Sequence, residues 1–401
     1  MIKDNLIVIP FGLDWNWPAD YEKQTALTLA DKNIVIALLP NSGITIKNYL
    51  YNLIKKKKII FWKKNKPHLW LFTPFYLLPL QQLRFIQKIN FLIASYQLRL
   101  MIFLNKKWRK KKKLLWIFTS QFVFTPNWFG KNYFPLYDCV DFYSSPINIE
   151  NQQLKEKEEM LIKKVDIVFT NSPSLYRLKK KLHPKTFQVP QGFATKLFLK
   201  KNQKNIIPRD LKKIMKPIIG FIGNIDYRID FKLINQLAEK NPTWSFVFLG
   251  PSWNDPTTDK FLNLEKNLKN LQKNDNVFLL GRKSKNQIIR YIDNFDIGII
   301  PYNTNYEFCK YCYPMKIFEF FARGKPVIST PIESLIPLEP YVKIAKNANE
   351  FEKGIKTILK KSWPKEYQKQ QRQLAIANSW EEKIGKISQI LKKEFPDKFN
   401  D

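Results

Sequence analysis

Short, nearly unbroken apolar runs alternate with longer amphipathic stretches along this chain, and the alternation occurs twice. The first series has its runs at residues 6–9, 34–39, 59–62, 69–73, 114–119, 167–170 and 187–189, with helical periodicity clearest over 21–30, 82–104 and 152–165. Runs that are apolar at every position belong to strands buried on both faces of a parallel sheet. Strand and helix in alternation predict βαβ units. The second series has strands at 218–222, 245–249, 277–280, 297–300 and 327–329, with helices at 231–240, 260–271, 285–294 and 315–323. Between the two lies a polar, Lys- and Asn-rich stretch containing Pro208, which reads as a linker. The expected organisation is a doubly wound N-terminal domain over 1–195, a linker over 196–215, a doubly wound C-terminal domain over 216–375, and a segment over 376–401 whose helix can return to the first domain. Two such α/β halves facing across a cleft present the carboxyl ends of their strands to it, where sheets of this kind bind ligands.

A length of 401 residues leaves room for two domains with full cores. With 44% hydrophobic residues the chain has ample apolar surface to offset the entropy of ordering, which excludes a disordered protein. Its 68 basic against 34 acidic residues give a net charge of +34 and predict attraction to a polyanion. Ten of those cations are Arg and the rest Lys. Because Arg is the residue suited to bidentate recognition of bases and phosphates, this balance argues for a diffuse field and against a nucleic-acid reader. The three cysteines, Cys139, Cys309 and Cys312, make no disulfide framework and suit a reducing, cytoplasmic compartment. The opening MIKDNLIVIP reads as a first strand and not as a signal peptide. The apolar stretch 83–104 is interrupted by Arg84, Lys88 and Arg99, so no segment is expected to cross a membrane.

The most informative segment is PMKIFEFFARGKPVIST, residues 314–330, which follows the strand at 297–300. Pro314 stands where a loop enters a helix, so the backbone N–H groups of Met315, Lys316 and Ile317 and the positive end of the helix are expected to face a ligand. That outlines a diphosphate site. One turn on, the carboxylate of Glu319 is placed to accept hydrogen bonds from two vicinal hydroxyls, such as those of a ribose. Gly324 ends the helix. A second segment, GFIGNIDYRID over 220–230, follows a strand and leads into a helix. Gly220 and Gly223 allow a tight turn near a phosphate, and Arg228 supplies a charge-assisted donor.

These segments resemble glycosyltransferase family 4, in the subgroup of group 1 glycosyltransferases that read "YDCVDD" and "PLK..EYLA.GKPVV". LYDCVDFYS (136–144), VDIVFTNSPSLYRLKK (165–180) and VPQGFATKLF (189–198) match the subgroup in order and spacing, so the resemblance covers nearly the whole chain. It implies the GT-B fold, two Rossmann-like domains facing across a cleft, with the nucleotide-diphosphate sugar held by the C-terminal domain. By it, Glu319 holds the ribose, and Lys316, Arg228 and the helix start neutralise the diphosphate near Gly223. Asn224 stands where the family usually has an Arg, so within this loop phosphate binding carries over to Arg228 alone. Asp138 and Asp141 are expected at a strand end, where a carboxylate can orient an acceptor hydroxyl. Phe142 replaces the second Asp of the subgroup's doublet, and Tyr311 replaces the first Glu of the family's E-x7-E pair.

The reaction implied is transfer of a hexose or similar sugar with retention, in the synthesis of a cell-surface polysaccharide or glycoconjugate. Arg228, Lys316 and helix N–H groups would stabilise the leaving diphosphate, with no cofactor and no metal. Cys309 and Cys312 have C-x-x-C spacing but lack two further ligands for zinc. Lysine runs at 55–58, 63–66 and 106–113 flank Trp62, Trp70, Phe72, Phe75, Tyr76, Phe91, Tyr96 and Phe103. Basic clusters beside an aromatic-rich amphipathic helix suit an anionic bilayer, hence a lipid-linked or saccharide acceptor and a peripheral position at the inner face of the membrane. Two other readings fit the fold: a nucleotide-sugar epimerase, and a membrane- or polyanion-binding scaffold without chemistry.

Overall fold

The computed structural model describes residues 1–16, 21–55, 60–78, 83–142, 149–200, 206–252 and 264–399. Residues 56–59 of the first lysine run and its neighbouring strand, 82, 143–144, 201–205, 260–263 and 400–401, which figure in the expectations above, lie outside them. The chain forms two units, Met1–Pro190 with Trp380–Asp401, and Gln191–Ser379.

The first unit is built on β1 (Leu6–Pro10), β2 (Ile34–Leu38), β4 (Trp62–Lys66), β5 (Leu69–Phe72), β7 (Lys113–Ile117), β8 (Tyr133–Cys139), β9 (Ile167–Thr170) and β10 (Thr186–Gln188), while β3 (Ile44–Thr45) and β6 (Phe75–Tyr76) pair separately. The sheet order is β10-β9-β8-β7-β1-β2-β5-β4. All pairs are parallel except β4 with β5. Alternate residues serve opposite faces, as a pleated strand requires. Ile7 and Ile9 face one cluster with Ala26 and Leu29 of α1 (Tyr21–Leu29). Leu6 and Val8 face another with Phe91, Ala94, Leu98 and Ile102 of α3 (Arg84–Leu104), which follows α2 (Ile46–Ile54). Every residue of β1 is buried, which is why its run is apolar throughout.

Two strands depart from expectation. The run at 59–62 gives way to β4, an edge strand reading WKKNK, whose lysines and antiparallel pairing blunt the sheet edge. Strand β8 lies in the sheet interior although Pro135 and Asp138 interrupt its apolar run. Helices α4 (Ile149–Ile162) and α5 (Pro173–Lys180) complete the first stretch of the unit.

The second unit carries β11 (Ile218–Ile222), β12 (Ser245–Leu249), β13 (Val277–Leu279), β14 (Ile297–Ile300), β15 (Val327–Ser329) and β16 (Lys343–Ile344), all parallel, in the order β13-β12-β11-β14-β15-β16. Around it lie α6 (Phe231–Lys240), α7 (Leu264–Leu271), α8 (Lys285–Asn294), α9 (Glu307–Tyr311), α10 (Lys316–Ala322), α11 (Ala348–Lys360) and α12 (Lys365–Ala377). Their starts are chemically marked: Asp230 accepts from the Leu233 amide at 2.9 Å, and Ser284 with Gln287 forms a capping box. Residues 206–215, expected as linker, lie in this unit. Leu211 is buried there, and Asp210 accepts from Tyr291 at 2.6 Å and pairs with Lys283 at 2.7 Å. After α12 the chain returns to the first unit as α13 (Trp380–Glu394), whose Ile384, Ile387 and Leu391 join the cluster of Ile7 and Ile9.

Each sheet reverses its winding once, between β1 and β7 in the first unit and between β11 and β14 in the second. Connections leave these neighbouring strands in opposite directions, opening a crevice at their carboxyl ends.

Candidate functional site

The crevice of the second unit begins where β11 ends. Gly223 has φ 127° and Gly250, after β12, has φ 150°, values that side-chain-bearing residues rarely adopt. A Cβ on Gly250 would lie 1.9 Å from the Gly223 carbonyl oxygen, so the two loops touch backbone to backbone. A Cβ on Gly223 would lie 2.8 Å from the Lys316 ammonium. Gly223 thereby leaves room for the start of α10.

Lys316 is buried at that start, with its Nζ donating to the Tyr302 hydroxyl at 2.8 Å. The ammonium lies 3.9 Å from the centroid of Phe221 and 4.6 Å from that of Tyr302. Burial, and then the Arg228 charge, lower its pKa to about 7, against the opposing pull of Asp226 and Glu319. Arg228 follows β11 by one turn of loop and stacks 5.6 Å from the same Tyr302 ring. Asp226 grips its fork from one side, at 2.9 Å from Nε and 2.6 Å from Nη2. The pairing keeps the half-buried guanidinium charged. Tyr302, two residues beyond β14, joins the site because its strand is the neighbour of β11 across the winding reversal. Gly223 and Arg228, from one loop, meet Lys316, which lies far along the sequence.

Met315 forms the N-cap of α10 and is half-buried. Ile317 departs from expectation. Its amide donates to the Pro314 carbonyl at 3.2 Å and its side chain is fully buried, so a local turn uses the N–H group assigned to a ligand. Glu319, half-buried one turn along, lies close enough for its charge to act on Lys316. Tyr311 ends α9. Both thiols of the C-x-x-C stretch are buried, Cys309 pushed up to about 12 by burial, and Cys312 donates to the Cys309 carbonyl at 3.1 Å.

Asp138 requires a correction. It is buried at the end of β8, 1% exposed, and pairs with Lys383 of α13 at 2.8 Å while accepting from the Trp116 indole at 3.2 Å. Both carboxylate oxygens serve the interior of the first unit, so Asp138 is withdrawn from any acceptor. Asp141, two residues past the strand, is half-buried.

Sequence reasoning missed Tyr302, Phe221 and Asp226. An aromatic residue just past a buried strand reads as core, and Asp226 reads as a turn residue until its guanidinium partner is seen. It also missed the residues gathered at the carboxyl end of β1 in the first unit. There Glu22, buried in α1, accepts from the amides of Gly12 at 2.9 Å and Leu13 at 3.3 Å. Burial raises its pKa to about 7 against those bonds. Gln121 approaches Gly12 so closely that a Cβ there would meet its amide at 2.6 Å.

Residues 202–378 match the family described as glycosyl transferases group 1. The chain is 28% identical over 262 residues to TuaH of Bacillus subtilis, whose name assigns it to teichuronic acid biosynthesis as a glycosyltransferase. That match spans 61% of this chain and 63% of TuaH, under two thirds of the relative's length. Among solved structures, a sucrose-phosphate synthase from Thermosynechococcus elongatus superposes with a TM-score of 0.71 at 16% identity, covering 98% of this chain and 100% of that one. HepE of Anabaena, solved with UDP-glucose, gives a TM-score of 0.68 at 14% identity, covering 97% and 99%. At these identities the likeness is one of fold. The chain has the two-Rossmann, GT-B fold, and the match to the group 1 glycosyl transferases falls within its second unit.

Proposed function

We propose that this chain is a glycosyltransferase whose second unit holds a nucleotide-diphosphate sugar by its phosphates and ribose. The observation that carries the reading is the meeting of Gly223, Arg228, Tyr302 and Lys316 at the winding reversal of the second sheet. Two cations on one aromatic ring, with a glycine leaving the backbone open beside them, suit a compact polyanion. Glu319, one turn along α10, takes the ribose hydroxyls.

In the proposed step the bond from the sugar's anomeric carbon to the diphosphate oxygen breaks, and the acceptor oxygen bonds to that carbon with retention. The electron pair leaves on the diphosphate, whose growing charge Arg228 and Lys316 meet, and the acceptor proton goes to the same phosphate oxygen. These cations do the work of a divalent ion, so the step needs no metal. The acceptor is a saccharide or lipid-linked saccharide of cell-surface polysaccharide synthesis, met at the cytoplasmic face of an anionic membrane. The likeness to TuaH, named for teichuronic acid biosynthesis, supports the polysaccharide part of this reading.

A melting-temperature panel with UDP-, GDP- and dTDP-sugars tests the reading. One nucleotide class is expected to raise the melting temperature by several degrees, and Lys316→Ala and Arg228→Ala to abolish the rise. A panel with no shift for any nucleotide sugar would overturn it.

A further inference from the structure

Helix α3 is apolar on two sides. Its inner side, with Phe91, Ala94, Leu98 and Ile102, belongs to the core of the first unit. Phe85, Ile89, Leu92, Tyr96, Leu100 and Phe103 recur every three or four residues along the opposite side. Phe85 is 72% exposed, and Tyr96, Leu100 and Phe103 are exposed as well. Over the 21 residues of α3 this line runs about 30 Å. An amphipathic helix at the surface of a globular domain places charged residues there instead. Helix α2 repeats the anomaly: it buries none of its nine residues, and Ile46, Leu50, Leu53 and Ile54 share one exposed side. The two helices are seated on one strand, β6. The Tyr49 ring of α2 lies 5.7 Å from that of Phe75, and Gln97 of α3 bonds the Phe75 amide at 3.1 Å and its carbonyl at 2.8 Å.

Charge is concentrated on the same stretch. Residues 32–137 contain 20 Lys and Arg and not one Asp or Glu, so more than half of the net charge of +34 belongs to the segment carrying α2 and α3. Arg99 lies 5.3 Å from the Tyr96 ring and Arg109 5.4 Å from the Phe103 ring, beside exposed Lys106, Lys107 and Lys110. A second copy of this chain would bring like charge against like. An anionic bilayer satisfies both features at once, with headgroups for the cations and the acyl boundary for the aromatic and aliphatic line. No described helix is long and apolar enough to cross a membrane.

The geometry points to the exposed sides of α2 and α3 as a docking face for an anionic lipid bilayer, with α3 lying along the headgroup plane. The inference rests on the membrane-side acceptor of the proposed function for its purpose, while its test needs no sugar.

The full chain is floated with phosphatidylcholine vesicles and with vesicles containing phosphatidylglycerol, at low and high salt. Co-flotation with the anionic vesicles is expected at low salt, weakened at roughly 0.5 M salt as headgroup attraction is screened. The double variant Leu100→Ser, Phe103→Ser is expected to lose about tenfold in vesicle affinity with its melting temperature unchanged, since both side chains are exposed. No co-flotation at low salt, binding untouched by the double variant, or a dimer in solution that the same variant dissolves would each overturn the proposal. The nucleotide-sugar shift of the double variant stays that of the parent chain. If the parent shows no such shift but still floats, the donor reading fails and the docking face stands.

Discussion

With its pKa lowered to about 7, Lys316 stands near half protonation in the empty site at neutral pH, because the rings of Phe221 and Tyr302 replace water around it and Arg228 lies close by. A bound diphosphate favours the charged form, so donor binding draws a proton from solution. Affinity for the nucleotide then falls as pH rises above about 7, by up to roughly tenfold per pH unit until the pKa of the bound state is reached. The empty protein behaves oppositely: unfolding returns the lysine to its ordinary, higher pKa, so stability rises with pH over that window. Calorimetric titration in buffers of different ionisation enthalpy measures the proton uptake, and Lys316→Arg, charged throughout, is expected to flatten the slope. A slope unchanged in that variant would remove Lys316 from the diphosphate. Gly223 and Arg228 could be picked out because they follow a strand in a glycine-bearing turn, and Lys316 because it lies in a segment that resembles the family's signature. Tyr302 and Asp226 were not, since their roles exist only once neighbouring strands bring them to Lys316 and Arg228.

Strands such as β1, β11 and β14 could be read directly because burial on both faces leaves no polar position in them. Strand β8 carries Pro135 and Asp138, and its place in the sheet depends on partners that local sequence does not display. The counter-ion of Asp138, Lys383, lies 245 positions away on α13. No spacing rule links such a pair, which explains why a carboxylate at a strand end was taken for an acceptor-binding group. Helix and pair depend on each other: removing one partner leaves a buried charge without compensation. Asp138→Ala is expected to cost about 3–5 kcal/mol in denaturant unfolding, and a second change, Lys383→Met, to recover most of it. A loss in the double variant equal to the sum of the losses in the two single variants would show that the pair contributes no coupling.

Across the whole molecule, the first unit is discontinuous and the second is one uninterrupted stretch. Residues from α13 and Phe399 are built into the cluster that covers one face of the first sheet. A chain ending at Ser379 is therefore expected to lose cooperative unfolding of the first unit while the second still shows the melting shift with its nucleotide. Separate calorimetric transitions would report this, and loss of both together would argue against independent units. The crossing at 379–380 also bears on synthesis. As the chain emerges from the ribosome, the unit encoded second has all its strands in hand while the unit encoded first still awaits its last helix. The nascent protein thus carries a lysine-rich, half-assembled first unit until residues 380–399 have left the ribosome and filled its core.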